Sequence, residues 1–304
     1  MANYYIAPSP TGSDSNTGTL ASPWLTLAHA YASSASGDTI NVAAGTYTWL
    51  TATMTSLTIQ GAGAATTIFD AGGASAAQFW YLNGITCNDL TFRNNGVTAT
   101  GTNAPAGEVK NNQIFRGYNG YTSTITFNRC IFHDIVVGGP QTDYGSGLFA
   151  LGGYETGSFS ATNLNLSTCL FYNISKLAAL SYGAIMNSRN ETPATGAGTV
   201  SVTSCTFALG ATGSSALTAF ATTQSGEVTA LTLTNTIIYN SSGVPLSWGG
   251  TPIPTLSHCD SYQMTGTITD SGGNITGDPL FIDAAGANFK LRPGSPCIAT
   301  GTLV

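Results

Sequence analysis

Charge is scarce in this chain of 304 residues. Asp, Glu, Lys and Arg make up 7% of it, and 8 Lys and Arg residues stand against 14 Asp and Glu residues, for a formal net charge of -6. A nucleic-acid backbone is bound by clustered Lys and Arg side chains, which this composition does not supply. A membrane-spanning helix needs an apolar run of about 18 residues, and none occurs. We therefore expect neither a nucleic-acid partner nor insertion into a membrane.

Signals for metal binding by cysteine and for secretion are missing as well. The sequence has no CxxC pair, and its three histidines, His29, His133 and His258, are far apart. The opening residues MANYYIAPSP lack the basic segment and the apolar core of a secretory signal. We nevertheless expect an extracellular or cell-surface protein, exported after loss of a signal or carried on a virion.

One short sequence motif recurs several times along the chain. LNLSTCLFYNIS returns as TITFNRCIFHDI, TVSVTSCTFALG and LTLTNTIIYNSS. Apolar and polar residues alternate in each copy, as in a strand with one buried face. A weaker strand precedes each copy, for example QIFRG and GLFAL. The copies align on the positions Leu90, Cys130, Cys169, Cys205, Thr236 and Cys259, which are 40, 39, 36, 31 and 23 residues apart.

A strand pattern that recurs within one chain at a variable interval is typical of coils that stack on one another, with insertions confined to the turns. The sequence therefore predicts an all-β fold, a right-handed single-stranded parallel β-helix (a solenoid). Stacking places equivalent side chains in columns, so the aligned cysteines should form one inward column. We expect reduced, buried thiols, although a strand spacing of about 4.8 Å leaves disulfide geometry open. A second column, Asn94, Asp134, Asn173, Leu209 and Asn240, predicts an internal asparagine ladder at a turn.

The two ends of the chain differ from the repeats. Trp24, Leu25, Leu27, Ala28 and Tyr31 have helical spacing that ends at Gly37, which predicts a short N-terminal helix capping the first coil. GDPLFIDAAGANFKLRPGSPCIATGT breaks the repeat and should form the opposite cap. We expect a single domain over 1–304, with the N-terminal strand and capping helix at 1–38, the coils at 39–270 and the C-terminal cap at 271–304.

These ends also carry a family resemblance. YYIAPSPTGSDSNTGTLASPWLTLAHAY followed by GDTINVAAGTYT resembles the opening of the bacterial right-handed parallel β-helix proteins of the pectate-lyase-like superfamily, in particular the group that includes family 9 polysaccharide lyases. DPLFIDAAGANFKLRPGSPCIATGT is similar to their C-terminal segment, with Ala299 at the position of the usual Asp. The resemblance implies cleavage of uronic-acid polymers by β-elimination, in which Ca²⁺ neutralises the carboxylate and a Lys or Arg removes the neighbouring proton. The family's paired aspartates and lysine motif have no match in this sequence, so no catalytic residue is carried over.

Geometry offers a candidate site instead. The longest turns follow the cysteine-bearing strand in three consecutive coils, and equivalent turns of a solenoid lie side by side. Their functional groups, together with an outward column next to them, supply a base, a cation for a carboxylate, aromatic surfaces for sugar rings and acids for Ca²⁺. The candidate catalytic residues are Lys176, Lys110, Arg93 and His133. The candidate metal ligands are Glu108 and Asp143, and the candidate substrate-binding residues are Tyr144, Tyr172, Arg116 and Arg189.

Alternative functions remain open on the sequence alone. Arg116, Glu155, Arg189 and Glu191 lie near the other strand and form a second possible groove. Asp134 with Asp143 or Glu155 would suit a glycoside hydrolase. The uncharged Ser, Thr and Asn faces would also suit a non-catalytic β-helix, either tailspike-like or an adhesin. A regular face of this kind is also compatible with an ice-binding surface. The expected partner is a polysaccharide, an acidic glycan first, and the expected state is a monomer, or a trimer on a virion.

Overall fold

The computed structural model describes residues 1–49, 52–73, 80–95, 113–117, 123–137, 147–151, 162–176, 185–188, 198–209, 218–222, 228–240, 246–249, 252–262 and 264–302. Three long parallel sheets make up most of this part of the chain, and a short antiparallel hairpin follows them. Between residues 39 and 257, consecutive strands go to different sheets in a fixed order, and each sheet takes every third strand. This is the right-handed parallel β-helix that the repeats predict.

Strands are numbered in chain order. Sheet A contains β1 (Asn3–Ile6), β2 (Thr39–Val42), β5 (Thr58–Gly61), β8 (Thr86–Asn88), β11 (Ser123–Asn128), β14 (Thr162–Ser167), β17 (Gly198–Thr203), β20 (Val228–Thr234), β23 (Thr255–Ser257) and β25 (Thr269–Asp270). Sheet B contains β3 (Gly45–Thr48), β6 (Thr67–Asp70), β9 (Thr91–Asn95), β12 (Ile131–Val137), β15 (Leu170–Lys176), β18 (Thr206–Leu209) and β21 (Ile237–Asn240).

Sheet C contains β4 (Ala52–Thr55), β7 (Trp80–Asn83), β10 (Gln113–Gly117), β13 (Gly147–Leu151), β16 (Met186–Ser188), β19 (Thr218–Thr222), β22 (Leu246–Gly249) and β24 (Met264–Thr265). The C-terminal hairpin pairs β26 (Phe281–Asp283) with β27 (Asn288–Leu291) in antiparallel fashion. In the described part of the chain, each of the seven coils from β2 to β22 thus contributes one strand to sheet A, one to sheet B and one to sheet C.

The recurring phrase of the sequence is two strands rather than one. In LNLSTCLFYNIS, strand β14 ends at Ser167 and strand β15 begins at Leu170. Thr168 between them has φ 55°, and the equivalent Arg129 and Ser204 have φ 53° and 54°. One residue in the left-handed region turns the chain sharply enough to move it from sheet A to sheet B. The bend shifts the two-residue periodicity by one residue, since Leu164 and Leu166 are buried before it and Cys169 and Phe171 after it.

The interior is a set of in-register columns. The predicted cysteine column is confirmed, because Cys130, Cys169, Cys205 and Cys259 are buried and unpaired, and Thr236 among them is fully buried. A phenylalanine column from sheet B stacks beside it with ring centroids 4.5 to 5.6 Å apart. Its members are Phe69, Phe92, Phe132, Phe171 and Phe207. Each coil buries its apolar face against the coils above and below and against its own other strands, as in the contact of Phe127 with Phe132 at 5.4 Å between ring centroids.

A helix is present at the N-terminal end, but it is shorter than the sequence pattern suggests. Helix α1 (Leu27–Ser33) follows the N-cap Thr26, whose side-chain oxygen accepts a hydrogen bond from the backbone N–H of His29 at 3.1 Å. Trp24 precedes the helix because it forms a parallel bridge with Ile6. The buried Leu27 belongs to the core cluster. That the helix closes the first coil stays a prediction. Within the described ranges, no helix is long and apolar enough to cross a membrane.

Candidate functional site

Four residues of sheet B form a column on its outer face. The register places Asp70 opposite Arg93, Arg93 opposite His133, and His133 opposite Tyr172, on the adjacent strands β6, β9, β12 and β15. Neighbouring parallel strands lie about 4.8 Å apart, so the four residues are neighbours along one face of the sheet. We call these four residues the polar column.

The first half of the polar column is an ion pair. Arg93 Nε donates to Asp70 Oδ2 at 2.6 Å, and the two side chains are 32% and 15% exposed. Asn94 Nδ2 donates to both oxygens of the same carboxylate at 3.0 and 2.9 Å, and the Gly72 N–H donates at 2.7 Å. Burial raises the pKa of Asp70, but these hydrogen bonds and the Arg93 charge outweigh it, so the pKa lies below its usual value. The carboxylate is therefore ionised at neutral pH and holds the guanidinium in place.

The second half of the polar column is aromatic. The rings of His133 and Tyr172 are stacked, with centroids 4.7 Å apart and an interplanar angle of 4°. His133 Nδ1 lies 2.7 Å from Asp134 Oδ2, and Asn173 Nδ2 donates to the other oxygen of Asp134. Burial raises the pKa of Tyr172, the Asp134 charge raises it further, and the charge of Arg93 opposes both. The phenol of Tyr172 thus lies within electrostatic reach of the carboxylate and of the guanidinium.

The backbone beside the column explains the position of these polar partners. Asn94, Asp134 and Asn173 have φ values of 58°, 54° and 49°, in the left-handed region that Asn and Asp adopt more readily than most residues. A left-handed residue interrupts the alternation of the strand, so its side chain stays next to the column. The predicted internal asparagine ladder is wrong, because these side chains are half-buried or exposed and bond to carboxylates on the outside. Leu209, the next member, is buried in the core instead.

The C-terminal hairpin covers the outer face of sheet B beyond the polar column. The ring centroid of Phe289 lies 5.3 Å from that of Tyr172, and Phe281 lies at the same distance from Tyr239. Ala208 follows Tyr172 in the register yet is only 4% exposed, because the hairpin lies over it. Within the column, the Arg93 side chain is 32% exposed and the His133 side chain 13% exposed.

The other predicted site residues divide into two groups. Lys110, Glu108, Asp143, Tyr144 and Arg189 lie outside the described residues. Lys176 ends strand β15, and Arg116 lies in β10 of sheet C, opposite Tyr81 and Ala150. The side chains of Lys176 and Arg116 are not among those described. Of the ten predicted residues, the structure brings Arg93, His133 and Tyr172 together, and it places Arg116 on a different sheet.

Sequence reasoning missed two members of the site. Asp70 ends the strand TIFD, whose alternation resembles that of the later copies but lies in a shorter coil that the alignment did not include. Phe289 belongs to the C-terminal segment, and its approach to the column depends on how that segment folds back. The polar–apolar alternation of NFKL was the available signal for the strand, although it does not reveal the contact with Tyr172.

A metal site is not formed by the described part of the chain. No group of three or more His, Cys, Asp or Glu side chains in these ranges could hold a metal ion. Calcium takes six to eight oxygen ligands, whereas the Asp70 carboxylate is bound to Arg93 and Asn94 and that of Asp134 to its own neighbours. The described residues therefore do not fit a calcium ion. The calcium prediction rests on Glu108 and Asp143.

Comparisons with protein-family models and with curated proteins found no match. Among solved structures, a pectin methylesterase from carrot is 13% identical, with a TM-score of 0.44 over 91% of this chain and 77% of that one. Pectin methylesterase PemA from Erwinia chrysanthemi is 14% identical, with a TM-score of 0.46 over 88% and 80%. A pectin methylesterase in complex with hexasaccharide VII is 15% identical, with a TM-score of 0.44 over 89% and 81%. Values this low do not transfer a reaction or a substrate to this chain.

Proposed function

We propose that this protein is an extracellular polysaccharide-binding β-helix and that the polar column is its glycan site. The observation that carries the proposal is the His133–Tyr172 stack held one strand away from the Arg93–Asp70 ion pair. Aromatic rings present apolar surface to the C–H faces of sugars, while the surrounding polar groups bond to hydroxyls. The column combines both on a rigid sheet.

Acidic glycans are the class that this site favours. The hydrogen bond from Arg93 to Asp70 uses Nε, and among the described residues no partner takes the terminal NH₂ groups. A guanidinium has five N–H donors in a planar fork that matches a carboxylate. Asp70 positions this fork, so a uronic-acid carboxylate can bind to Arg93 without the side chain having to be ordered first.

β-Elimination is the reaction that the column would support. His133 receives its orientation from Asp134, which leaves the other ring nitrogen to accept the proton at C5 of a uronate. The electron pair of that C–H bond forms the C4–C5 double bond, and the C4–O bond to the neighbouring sugar breaks. The leaving oxygen takes up a proton from water, and His133 returns its proton to the solvent. Arg93, bound to the carboxylate beside C5, stabilises the negative charge that develops there.

The test is a panel of polygalacturonate, alginate and chondroitin, incubated with the protein with Ca²⁺ or with a chelator. The ultraviolet absorbance of the unsaturated product reports cleavage, and calorimetry reports binding. Arg93→Ala should abolish binding of the preferred uronate. His133→Ala should abolish product and, because it removes one ring of the stack, should weaken binding without abolishing it. Arg129→Ala, which removes an exposed arginine on another turn, is the matched control and should change neither.

The other possible results of this test would contradict part of the proposal. Binding without product would leave a binding protein, such as the adhesin alternative, and would disprove the lyase step. Product that disappears with chelator would support a calcium site outside the described residues. Uronate binding that survives Arg93→Ala would show that the polar column is not the site.

A further inference from the structure

A cavity opens at the outer face of sheet A, near its N-terminal end, away from the polar column. Its volume is about 430 Å³, within the range of about 300 to 1,000 Å³ that small-molecule sites occupy. Strands β1, β2 and β5 form its floor, and the segment that leads to helix α1 forms one wall. The side chains that matter below are Tyr5, Asn41, Gln60, Leu20 and Pro23. Among the residues that the structure describes, none that lines this cavity is charged, in contrast with the polar column.

The three strand residues at the floor form a row. The register places Tyr5 opposite Asn41 and Asn41 opposite Gln60. At a strand spacing of about 4.8 Å, one aromatic ring and two amides follow one another over about 10 Å, and the two amides are one spacing apart. Leu20 lies at the rim and is 75% exposed, which makes it one of the few large apolar side chains on this surface.

Both amides are held in a fixed orientation by bonds from their nitrogen atoms. Asn41 Nδ2 donates to the carbonyl of Tyr4 at 3.2 Å. Gln60 Nε2 donates to the carbonyl of Gly61 at 2.7 Å and to Asp89 Oδ2 at 2.9 Å. An amide whose nitrogen is engaged in this way has its oxygen left as an acceptor. Within the described part of the chain, no group donates to either oxygen.

The orientation of Gln60 is itself supported from the neighbouring turn. Asp89, which accepts its hydrogen bond, forms a bidentate pair with Arg129, with both contacts at 2.7 Å. Arg129 is the cation linked to Gln60 through Asp89, and its guanidinium is already bonded to the Asp89 carboxylate. The cavity is therefore a preorganised pair of acceptors next to apolar walls, without a free positive charge.

We propose that this cavity binds one neutral hexopyranose residue of a glycan. Sugar hydroxyls are the donors that Asn41 Oδ1 and Gln60 Oε1 lack, and the C–H face of a pyranose suits Tyr5 and Leu20. A uronate is disfavoured because its carboxylate would be desolvated with no cation to pair with it. The site is independent of the polar column, and it selects the opposite class of sugar.

The test uses the whole protein and neutral β-linked oligosaccharides of glucose, mannose and galactose, with saturation-transfer NMR to detect contacts and titration to measure affinity. Leu20→Ala removes an exposed side chain and should not disturb folding, and it should weaken binding about threefold. Asn41→Ala should weaken binding about fivefold to tenfold through the lost acceptor. Asn165→Ala, on the same outer face of sheet A but far from the cavity, is the matched control and should leave the affinity unchanged.

Arg93→Ala separates this proposal from the preceding one. It should abolish uronate binding at the polar column without affecting neutral oligosaccharides. The proposal is overturned if none of the neutral oligosaccharides binds at millimolar concentration. It is equally overturned if they bind and both Leu20→Ala and Asn41→Ala leave the affinity unchanged.

Discussion

Asp260 Oδ2 lies 3.0 Å from the Sγ atom of Cys297, and this contact joins the last coils of the solenoid to the C-terminal segment. Asp260 is only 2% exposed, although Ile237, its partner in the preceding coil, is half-buried. The C-terminal segment therefore covers a carboxyl group that would otherwise lie on the outside. Burial, with a smaller contribution from the charge of Asp278, raises the pKa of Asp260 to about 6, against the opposing hydrogen bonds from Cys297 and from the Tyr262 N–H.

We predict that stability increases when the pH falls from 7 to 5. The folded pKa of about 6 lies above the unfolded value of 3.8, so the folded state binds the proton more tightly. The stabilisation is complete below the unfolded pKa and is lost as the pH rises through 6, with a total of roughly 2 to 3 kcal/mol. Urea unfolding at several pH values measures it. Asp260→Asn, which is neutral throughout, should flatten the dependence between pH 5 and 7, and an unchanged slope would contradict the assignment.

Phe171 should carry more of the stability than its neighbour Tyr172. Phe171 is fully buried between Phe132 and Phe207, with centroid distances of 4.8 and 4.5 Å. Phe171→Ala leaves a cavity in the column and should lower the free energy of unfolding by about 3 to 5 kcal/mol. Tyr172→Ala, on the outer face of the same strand, should lower it by about 1 to 2 kcal/mol. Equal losses in urea denaturation would show that the inward column is not the main source of stability.

The ion pair between Asp89 and Arg129 should contribute little to stability. It is bidentate, but the Arg129 side chain is 55% exposed, so water and salt weaken the attraction. We expect Arg129→Ala to change the free energy of unfolding by about 0 to 1 kcal/mol. A larger loss that persists at high salt would mean that the pair has a structural role in the bend between sheets A and B.

Asp134→Asn tests whether the carboxylate positions His133. The substitution keeps the shape of the side chain but removes the charge that faces His133 Nδ1. If His133 is the base, the rate of unsaturated product should fall about tenfold to a hundredfold, with glycan affinity nearly unchanged. Asn173→Ala leaves the His133–Asp134 contact in place and should have a much smaller effect. A rate insensitive to Asp134→Asn would remove His133 from the proposed chemistry.

The fold could be predicted from the sequence, because stacking requires apolar residues at the same positions in every coil. Cys169 and Leu164 must be apolar for the same reason as their counterparts above and below, so the pattern can be recognised from several imperfect copies. The bend at Thr168 shifts the alternation by only one residue, and a shift of one residue does not by itself show that the chain passes to another sheet. The direction of Asn94 was misjudged for a related reason, since its positive φ turns the side chain out of the position that alternation assigns.

The site could be predicted from the sequence only in part. Arg93, His133 and Tyr172 occupy equivalent places in consecutive coils, so their alignment follows from the repeat itself. Arg116 could not be placed relative to them, because that depends on which sheet its strand joins. The contact of Phe289 with Tyr172 depends on the path of a segment that has no counterpart among the repeats.

The buried cysteines make the direction of unravelling measurable. Cys87, Cys130, Cys169, Cys205 and Cys259 lie in five successive or nearly successive coils, each hidden from solvent as long as its own coil is closed. Burial raises the pKa of the thiols of Cys87 and Cys259, which slows alkylation further in the closed state. Under mild denaturant, mass spectrometry of alkylated peptides would date the opening of each coil separately. Labels that appear first at Cys259 and last at Cys87 would record a solenoid that peels from its C-terminal end, whereas simultaneous labelling would record one that opens as a unit.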